Sequence, residues 1–192
     1  MARYNGEHIE STEAEKGEVE RNELESDKEC KAHFDTTYSL KPNEKYEANH
    51  YSYETDRYGR IKHAEGSLRL EEGKRNPAHQ VKAGGEYRLE HDEGGHLIGT
   101  RFGGSEKVDN IVPMDFDINR REYKEIENEW EDELGKGSKV DVKIRCKYEE
   151  ESSRPTAFIA KYRVTEPDGF VRNETKAIEN PKSGGDPNER HS

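Results

Sequence analysis

The chain has 192 residues, of which 28% are hydrophobic and 39% are charged, and its formal net charge is −11. This length fits one domain of ordinary size plus a tail, and the small apolar fraction allows only a modest core. The sequence contains no apolar stretch that could span a bilayer, and its N-terminus lacks the apolar region of a secretory signal. Composition therefore excludes a helical membrane protein. The net negative charge also argues at first against a protein that binds nucleic acid or another polyanion, because phosphate contacts need lysine and arginine.

Charge is distributed unevenly along the chain. Residues 1–30 contain ten acids and four bases, a net of −6, and they show no sustained apolar stripe. Residues 57–88 contain eight bases and four acids, a net of +4. We therefore predict an acidic leader or linker over residues 1–44, followed by a domain with one basic side. The alternative is that both segments are ordinary solvated faces.

The two cysteines of the chain are Cys30 and Cys146. Two cysteines so far apart give neither a disulfide framework nor the ligand spacing of a zinc site. We expect both thiols to be free, and a disulfide between them is the alternative.

Residues 48–70 predict a β-hairpin. Tyr51, Tyr53 and Thr55 alternate with polar residues before a turn near Gly59, and further apolar positions follow from Ile61. Residues 71–95 are rich in Gly, Pro, Asn and charge, so we expect mostly loop there. The basic surface would then lie on irregular backbone, where binding residues are common.

A helix is predicted to begin at Asn119, and a Gly-Lys-Gly sequence ends it. At 100° per residue, Tyr123, Ile126 and Trp130 form one apolar stripe. Glu127 is the one acid at the edge of this stripe, on the same side as Asn119. The two oxygen-bearing side chains would lie about 12 Å apart along the helix axis at 1.5 Å per residue.

Three strands are predicted after this helix. Alternating apolar residues indicate half-buried strands over residues 140–148 and 158–164, and a Pro-Asp-Gly turn leads to a weaker strand over residues 170–176. Residues 179–192 contain Pro, Gly, Asn and Ser, and we expect a disordered tail. The predicted fold class is α+β, an antiparallel sheet crossed by a helix.

One run of the sequence carries most of the functional information. Residues 92–119 read D-E-G-G-H-L-I-G-T-R-F-G-G-S-E-K-V-D-N-I-V-P-M-D-F-D-I-N, and N-R-R-E-Y-K-E-I-E-N-E-W and R-P-T-A-F also stand out. Through these motifs, residues 45–178 resemble the DNA/RNA non-specific endonuclease family. The resemblance implies a nuclease domain over these residues with a ββα-metal (His-Me finger) motif. It also implies cleavage that leaves 5′-phosphate and 3′-hydroxyl ends.

The chemistry of phosphodiester cleavage and the resemblance together assign roles to five residues. His96 is the candidate general base, because a neutral imidazole can take a proton from the attacking water at neutral pH. In the family, the asparagine matched by Asn119 is the direct metal ligand, and the acid matched by Glu127 holds water on the metal. The expected metal is Mg²⁺, with Mn²⁺ as the alternative. Asn110 matches an asparagine that supports the site geometry, and Arg101 is a candidate phosphate ligand.

The sequence departs from the D-R-G-H form of the family motif. Gly94 stands at the arginine position, and Glu93 stands where the motif has aspartate. The arginine that contacts the phosphate must then come from elsewhere in the chain. Arg75 and Arg88 are the alternatives to Arg101.

Plainer alternatives stand beside these assignments. Asn119 is a helix N-cap in one of them, and Glu127 is a solvated helix acid in another. If the helix has a different register, Glu125 and Glu129 are the substitute acids. A metal cluster without zinc spacing is a further alternative, and its members would be His91, Asp92, Glu93 and His96.

The predicted activity is that of a sugar-non-specific endonuclease acting on DNA and RNA. Domains with D-G-G-H motifs resemble the toxin modules of bacterial polymorphic toxins. That likeness implies an immunity protein as partner and delivery without a signal peptide, whereas a protein that is not a toxin would be cytoplasmic. The main alternative is a non-catalytic interaction protein, either a degenerate nuclease fold or an acidic mimic of nucleic acid. A structural protein of a salt-rich cytosol is a second alternative. It would explain the excess of acidic residues, but it gives no reason for the motif around His96.

Overall fold

The computed structural model describes residues 38–182. The strands are β1 (Lys45–Ala48), β2 (Tyr51–Thr55), β3 (Ile61–Ser67), β4 (Asp92–His96), β5 (Ile111–Asp115), β6 (Lys139–Tyr148), β7 (Pro155–Thr165) and β8 (Val171–Glu179). The helices are α1 (Pro77–Lys82), α2 (Phe116–Arg120) and α3 (Glu122–Gly135), and a 3₁₀ turn spans Gly85–Tyr87. No helix in the described range is long and apolar enough to cross a membrane.

Six strands form an antiparallel sheet in the order β1-β2-β3-β6-β7-β8. The hairpin predicted near Gly59 is confirmed as β2 and β3, and Gly59 adopts a φ of +73° in the turn between them. The alternation predicted for β6 is also confirmed, because Val140, Val142 and Ile144 are buried on its inner face. The last strand is stronger than predicted, since β8 pairs with β7 along its whole length.

Helix α3 packs on the inner face of this sheet. Tyr123, Ile126 and Trp130 are buried, as the apolar stripe predicted. The Trp130 ring meets Tyr162 edge-on at 5.6 Å between centroids, and Tyr123 meets Phe158 in the same way at 5.7 Å. Edge-to-face pairs of this kind are favourable beyond the area they bury. They hold the helix over β7.

The helix does not begin at Asn119. Asp115 is the N-cap of α2, and its carboxylate accepts hydrogen bonds from two backbone N–H groups of the first turn. The chain then breaks at Arg121, where φ is −118° and ψ is −84°, before α3 begins. The prediction of one helical register from Asn119 to Glu127 is therefore wrong, and so is the N-cap alternative for Asn119.

The strands β4 and β5 form a separate two-stranded sheet, the β4-β5 hairpin. The prediction of mostly loop over residues 71–95 is wrong in part, because α1, the 3₁₀ turn and β4 all lie there. Helix α1 crosses β4 so closely that a side-chain carbon on Gly94 would overlap the backbone of Gln80. Among residues 38–182, β5 is the only strand paired with β4. The other edge of β4 pairs with no strand in this range, and the side chains of Gln80 and Arg88 donate hydrogen bonds to its carbonyls.

The ends of the described chain pack more closely than predicted. Tyr38 and Leu40 contact the core, although the predicted leader extends to residue 44. Glu179 ends β8 and Asn180 is only 2% exposed, so the prediction of a disordered tail from residue 179 is wrong for these two residues. Residues 1–37 of the predicted leader and residues 183–192 of the predicted tail lie outside the described residues.

Cys146 is buried in β6, and burial raises the pKa of its thiol to about 12. Such a thiol stays protonated and unreactive at neutral pH. Cys30 lies outside the described residues, so the expectation that the two thiols do not pair stays a prediction.

Candidate active site

A cleft of about 710 Å³ opens beside the β4-β5 hairpin, where residues of α1, α2 and α3 also line it. Glu93 is the acid among its lining residues. The basic side chains that line it are Arg75, Arg88, Arg101, Arg120 and Lys124. This local excess of positive charge attracts phosphate groups, although the chain as a whole carries a net charge of −11.

Asn119 lies in α2 with its carboxamide held in one orientation. Its Nδ2 donates a hydrogen bond to Glu93 Oε2 at 2.8 Å, and Glu93 also pairs with Arg120 at 2.6 Å. Hydrogen bonds from Arg120 and Asn119 lower the pKa of Glu93, so this carboxylate stays ionised and accepts only. The Oδ1 of Asn119 therefore faces Gly95, where a side-chain carbon would lie 3.1 Å from it. Sequence analysis noted Glu93 as a departure from the motif and as a member of the alternative metal cluster, and it gave no signal for this contact.

His96 ends β4, and its ring is half-buried. Its Nε2 is buried and has no hydrogen-bond partner within the described chain. Burial and then the charge of Arg75 lower the pKa of His96 to about 4, so the imidazole is neutral at pH 7. Side chains alternate along a strand. Since the Gly95 position faces Asn119, His96 is directed to the other face of β4, toward Arg75 and α1.

Glu127 lies in α3 with its carboxylate against Gly99, so close that any side chain at position 99 would overlap it. The Glu127 side chain is 15% exposed. Burial raises its pKa to about 7, and the charges of Arg101, 3.9 Å away, and Arg75 oppose this shift. Arg75 thus acts electrostatically on both Glu127 and His96.

The two substitute acids of α3 lie elsewhere. Glu125 is exposed, and Glu129 accepts a hydrogen bond from the Tyr162 hydroxyl at 2.9 Å. Glu127, by contrast, lies against Gly99 just beyond the end of β4 and faces the cleft residue Arg101. The arrangement favours Glu127 over both.

The three candidate arginines have different surroundings. Arg88 donates hydrogen bonds to two backbone carbonyls of α1 and one of β4, and it ties these elements together. Arg101 is bound to α3 through Glu131 at 2.6 Å and Asn128 at 2.9 Å. Arg75 lines the cleft and makes no hydrogen bond or ion pair with any other described residue. Its guanidinium is the one available to a ligand without breaking an existing contact.

Asn110 is fully buried and cross-links the segment between β4 and β5. Its Oδ1 accepts from the Ile98 N–H at 2.9 Å, and its Nδ2 donates to the carbonyls of Ile98 at 2.8 Å and Ser105 at 2.9 Å. These contacts hold the backbone that follows His96. Asn110 itself does not line the cleft.

The alternative metal cluster does not form. Both carboxylate oxygens of Asp92 bind Arg154, and Glu93 binds Asn119 and Arg120. Residues 38–182 contain no group of three His, Cys, Asp or Glu side chains that could hold a metal ion. A closed tetrahedral zinc site is therefore absent from this range.

The donors present fit a hydrated hard cation instead. No described residue donates a hydrogen bond to Asn119 Oδ1, and Glu127 holds a carboxylate that is partly protonated near pH 7. Mg²⁺ prefers oxygen ligands, keeps several of its waters and takes few ligands from the protein. Asn119 and Glu127 are the side chains that fit this preference.

A sequence model of the family described as DNA/RNA non-specific endonuclease matches residues 42–166. The chain belongs to this family. The predicted resemblance is thus confirmed, and the chain is a nuclease. The Type VII secretion system protein EssD of Staphylococcus aureus USA300 is 42% identical over 120 residues, which are 58% of this chain and 19% of EssD. The probable deoxyribonuclease RhsA of Dickeya dadantii is 34% identical over 65 residues, 34% of this chain and 4% of RhsA. The chain spans about a fifth of the length of EssD.

Two solved structures share the fold. EndoG, in its complex with EndoGI, superposes with a TM-score of 0.54 at 15% identity, over 76% of this chain and 78% of EndoG. The Sda1 nuclease with bound zinc ion superposes with a TM-score of 0.50 at 17% identity, over 69% of this chain and 76% of Sda1. The predicted α+β fold with a crossing helix is confirmed.

Proposed function

We propose that this nuclease domain hydrolyses phosphodiester bonds of both DNA and RNA with a divalent cation, and that His96 is the general base. The neutral imidazole of His96 carries the proposal, because its buried Nε2 has no partner in the described chain and His96 ends the strand whose Glu93 and Gly94 line the basic cleft. His96 ends β4, and Asn119 in α2 faces the neighbouring Gly95 of the same strand. The proposal requires that both side chains reach one bound phosphate from the two sides of β4.

His96 supplies the base. A water that attacks phosphorus must lose a proton as the bond forms. Since burial and Arg75 lower the pKa of His96 to about 4, the ring needs no prior deprotonation at neutral pH. The negative charge of a bound phosphate would stabilise the imidazolium that forms.

Asn119 and Glu127 would hold the cation. A bound divalent ion, Mg²⁺ in the first place and Mn²⁺ as its substitute, stabilises negative charge on the phosphoryl oxygens and on the leaving 3′ oxygen. Asn119 Oδ1 would be the direct ligand, and Glu93 keeps it turned toward β4. Glu127 would hold water on the ion, and a nearby cation would lower the raised pKa of this carboxyl.

Arg75 is the phosphate ligand that the contacts favour. A guanidinium binds phosphate through two parallel hydrogen bonds. Arg101 would have to leave Glu131 and Asn128, whereas Arg75 has no such contact to break. Binding through phosphates carries no base sequence information, which agrees with cleavage of both nucleic acids with little sequence preference.

The biological role proposed is that of a toxin module delivered without a signal peptide. The similarity to EssD, named for a type VII secretion system, and to RhsA, named a probable deoxyribonuclease, supports this role. EndoG has a protein inhibitor, EndoGI, and we propose an immunity protein as the corresponding partner here.

Degradation of plasmid DNA, single-stranded DNA and RNA tests the proposal. Wild-type protein should degrade all three with Mg²⁺, lose activity with EDTA and recover it with excess Mn²⁺. His96→Ala should be inactive under every condition. Intact substrate in every wild-type lane would indicate a non-catalytic binder instead, and cleavage of only one nucleic acid would narrow the substrate class.

A further inference from the structure

A buried ion pair joins the start of β4 to the large sheet. Arg154 directly precedes β7, and its Nε and Nη2 donate to the two oxygens of Asp92, each at 2.8 Å. The Arg154 side chain is 4% exposed and the Asp92 side chain 1%. Arg154 also donates to the backbone carbonyls of Asn180 and Pro181, both at 2.8 Å. One guanidinium thus holds β4 and the chain that follows β8.

Asn180 joins β5 to the start of β7, beside the ion pair of Arg154 and Asp92. Its Oδ1 accepts from the backbone N–H of Asp115 at 2.8 Å. Its Nδ2 donates to the carbonyls of Pro155 at 2.7 Å and Pro113 at 3.2 Å. Asn180 is only 2% exposed, and its carboxamide satisfies three backbone groups from inside the protein, where water is excluded.

These contacts meet at the open end of the β4-β5 hairpin. Asp92 and Asp115 face each other in its ladder. The residue after Asp92 is Glu93, which orients Asn119, and Asp115 caps the helix that carries Asn119. A displacement at this end would therefore move both Asn119 and the carboxylate that orients it.

We infer that Arg154 and Asn180 are positioning residues for the proposed cation site. They act as a clamp on the open end of the hairpin, and this role rests on the proposed function. The sequence of β4, D-E-G-G-H, has no apolar side chain that could hold the strand by packing. Asn180 lies beyond residue 166, where the family match ends. Asn180, a residue outside the matched region, would thus position the cation site that lies inside that region.

Asn180→Ala in the full-length chain is the main test. Its matched control is Val164→Ala, which makes a small cavity in β7 away from the hairpin. The first measurement is amide hydrogen exchange in β4 and β5 relative to β6 and β7, and it needs neither metal nor substrate. The second is the dissociation constant for Mn²⁺, and the third is kcat at saturating Mn²⁺.

Asn180→Ala should speed exchange in the hairpin by at least about tenfold while β6 and β7 keep their protection. Mn²⁺ affinity should fall about tenfold, as it does when supporting partners of metal ligands are lost. The kcat should fall about 100-fold, the scale expected for a misplacement near 1 Å. Val164→Ala should lower the melting temperature and speed exchange in β6 and β7 without a selective gain in the hairpin, and Mn²⁺ affinity and kcat should stay unchanged. Wild-type hairpin exchange in Asn180→Ala would overturn the inference, and so would equal losses in both variants.

A second pair of chains guards against a variant that fails to fold. A chain that ends at Ile178 lacks Asn180, and a chain that ends at Lys182 retains it. The shorter chain should show the hairpin-specific loss and the longer one should match wild type. A wild-type protein that binds no Mn²⁺ and cuts nothing would refute the proposed function, whereas the exchange result would still decide whether the clamp exists.

Discussion

The six-stranded sheet and the β4-β5 hairpin are held in place by different interactions. In β7, Phe158, Ala160 and Val164 are fully buried beneath α3, so burial of apolar surface stabilises the sheet. Strand β5 also packs in this apolar core, but β4 has no apolar side chain, and the open end of the hairpin is held by the ion pair of Arg154 and the amide hydrogen bonds of Asn180. The proposed chemistry lies entirely beside the hairpin. Stability and activity should therefore respond to different substitutions.

The largest effect is expected at the end of β4. His96→Ala should lower kcat about 1000-fold, because a general base contributes 100- to 10,000-fold to such reactions. The melting temperature of this variant should stay close to that of the wild type. His91→Gln is the matched control, since this exposed histidine precedes the same strand and does not line the cleft. Equal activity in the two variants would remove His96 from the chemistry.

The next effect separates the candidate arginines. Arg75→Ala should lower kcat/KM about 100-fold, comparable to the loss of one donor to a reacting group. It should also reduce the salt dependence of binding by about one phosphate contact. Arg101→Ala should lower kcat/KM much less, because the Arg101 guanidinium already donates hydrogen bonds to Glu131 and Asn128. The reverse order would identify Arg101 as the phosphate ligand.

Glu127 offers a pH-dependent test of the metal-free protein. Its folded pKa of about 7 lies above the ordinary 4.5, so its burial costs nothing below pH 4.5 and reduces stability progressively as the pH rises through 7. Glu127→Gln should therefore stabilise the protein at pH 8 by about 2 kcal/mol, below the limit of about 3.4 kcal/mol that 1.36 kcal/mol per pKa unit sets. It should give no gain at pH 4.

Urea unfolding at both pH values measures this difference. Glu125→Gln, an exposed change in the same helix, is the control and should show the same small effect at both. A Glu127→Gln variant without extra stability at pH 8 would mean that the carboxylate is well solvated.

The smallest effect is expected in the sheet. Val164→Ala should lower the free energy of unfolding by about 2 kcal/mol, from lost apolar burial and a small cavity. Both kcat and KM should stay at wild-type values. A marked loss of activity in this variant would show that the sheet and the hairpin do not respond independently.

The sheet could be predicted from the sequence because its signal is local. Alternation at Val140, Val142 and Ile144 identified β6, and the stripe of Tyr123 and Trp130 identified the buried face of α3. Each pattern follows from a period of 2 or 3.6 residues and needs no knowledge of distant parts of the chain.

The hairpin and its surroundings were harder to predict for physical reasons. Helix α1 has six residues, too few to form without tertiary contacts. Strand β4 has glycines where alternation would be visible. The break at Arg121 lies within a pattern that reads as continuous helix. The family resemblance supplied His96, Asn119 and Glu127, but it contained no information on the contact between Glu93 and Asn119.

The position of the clamp along the chain sets an order of events during synthesis. The β4-β5 hairpin leaves the ribosome before Arg154, and Asn180 follows only after the last strand of the sheet. A nascent chain interrupted before Asn180 would contain His96, Asn119 and Glu127 and still lack an ordered hairpin. Synthesis as far as Asn180 would then be a condition for enzyme activity, and nascent chains that stop before it would be inactive.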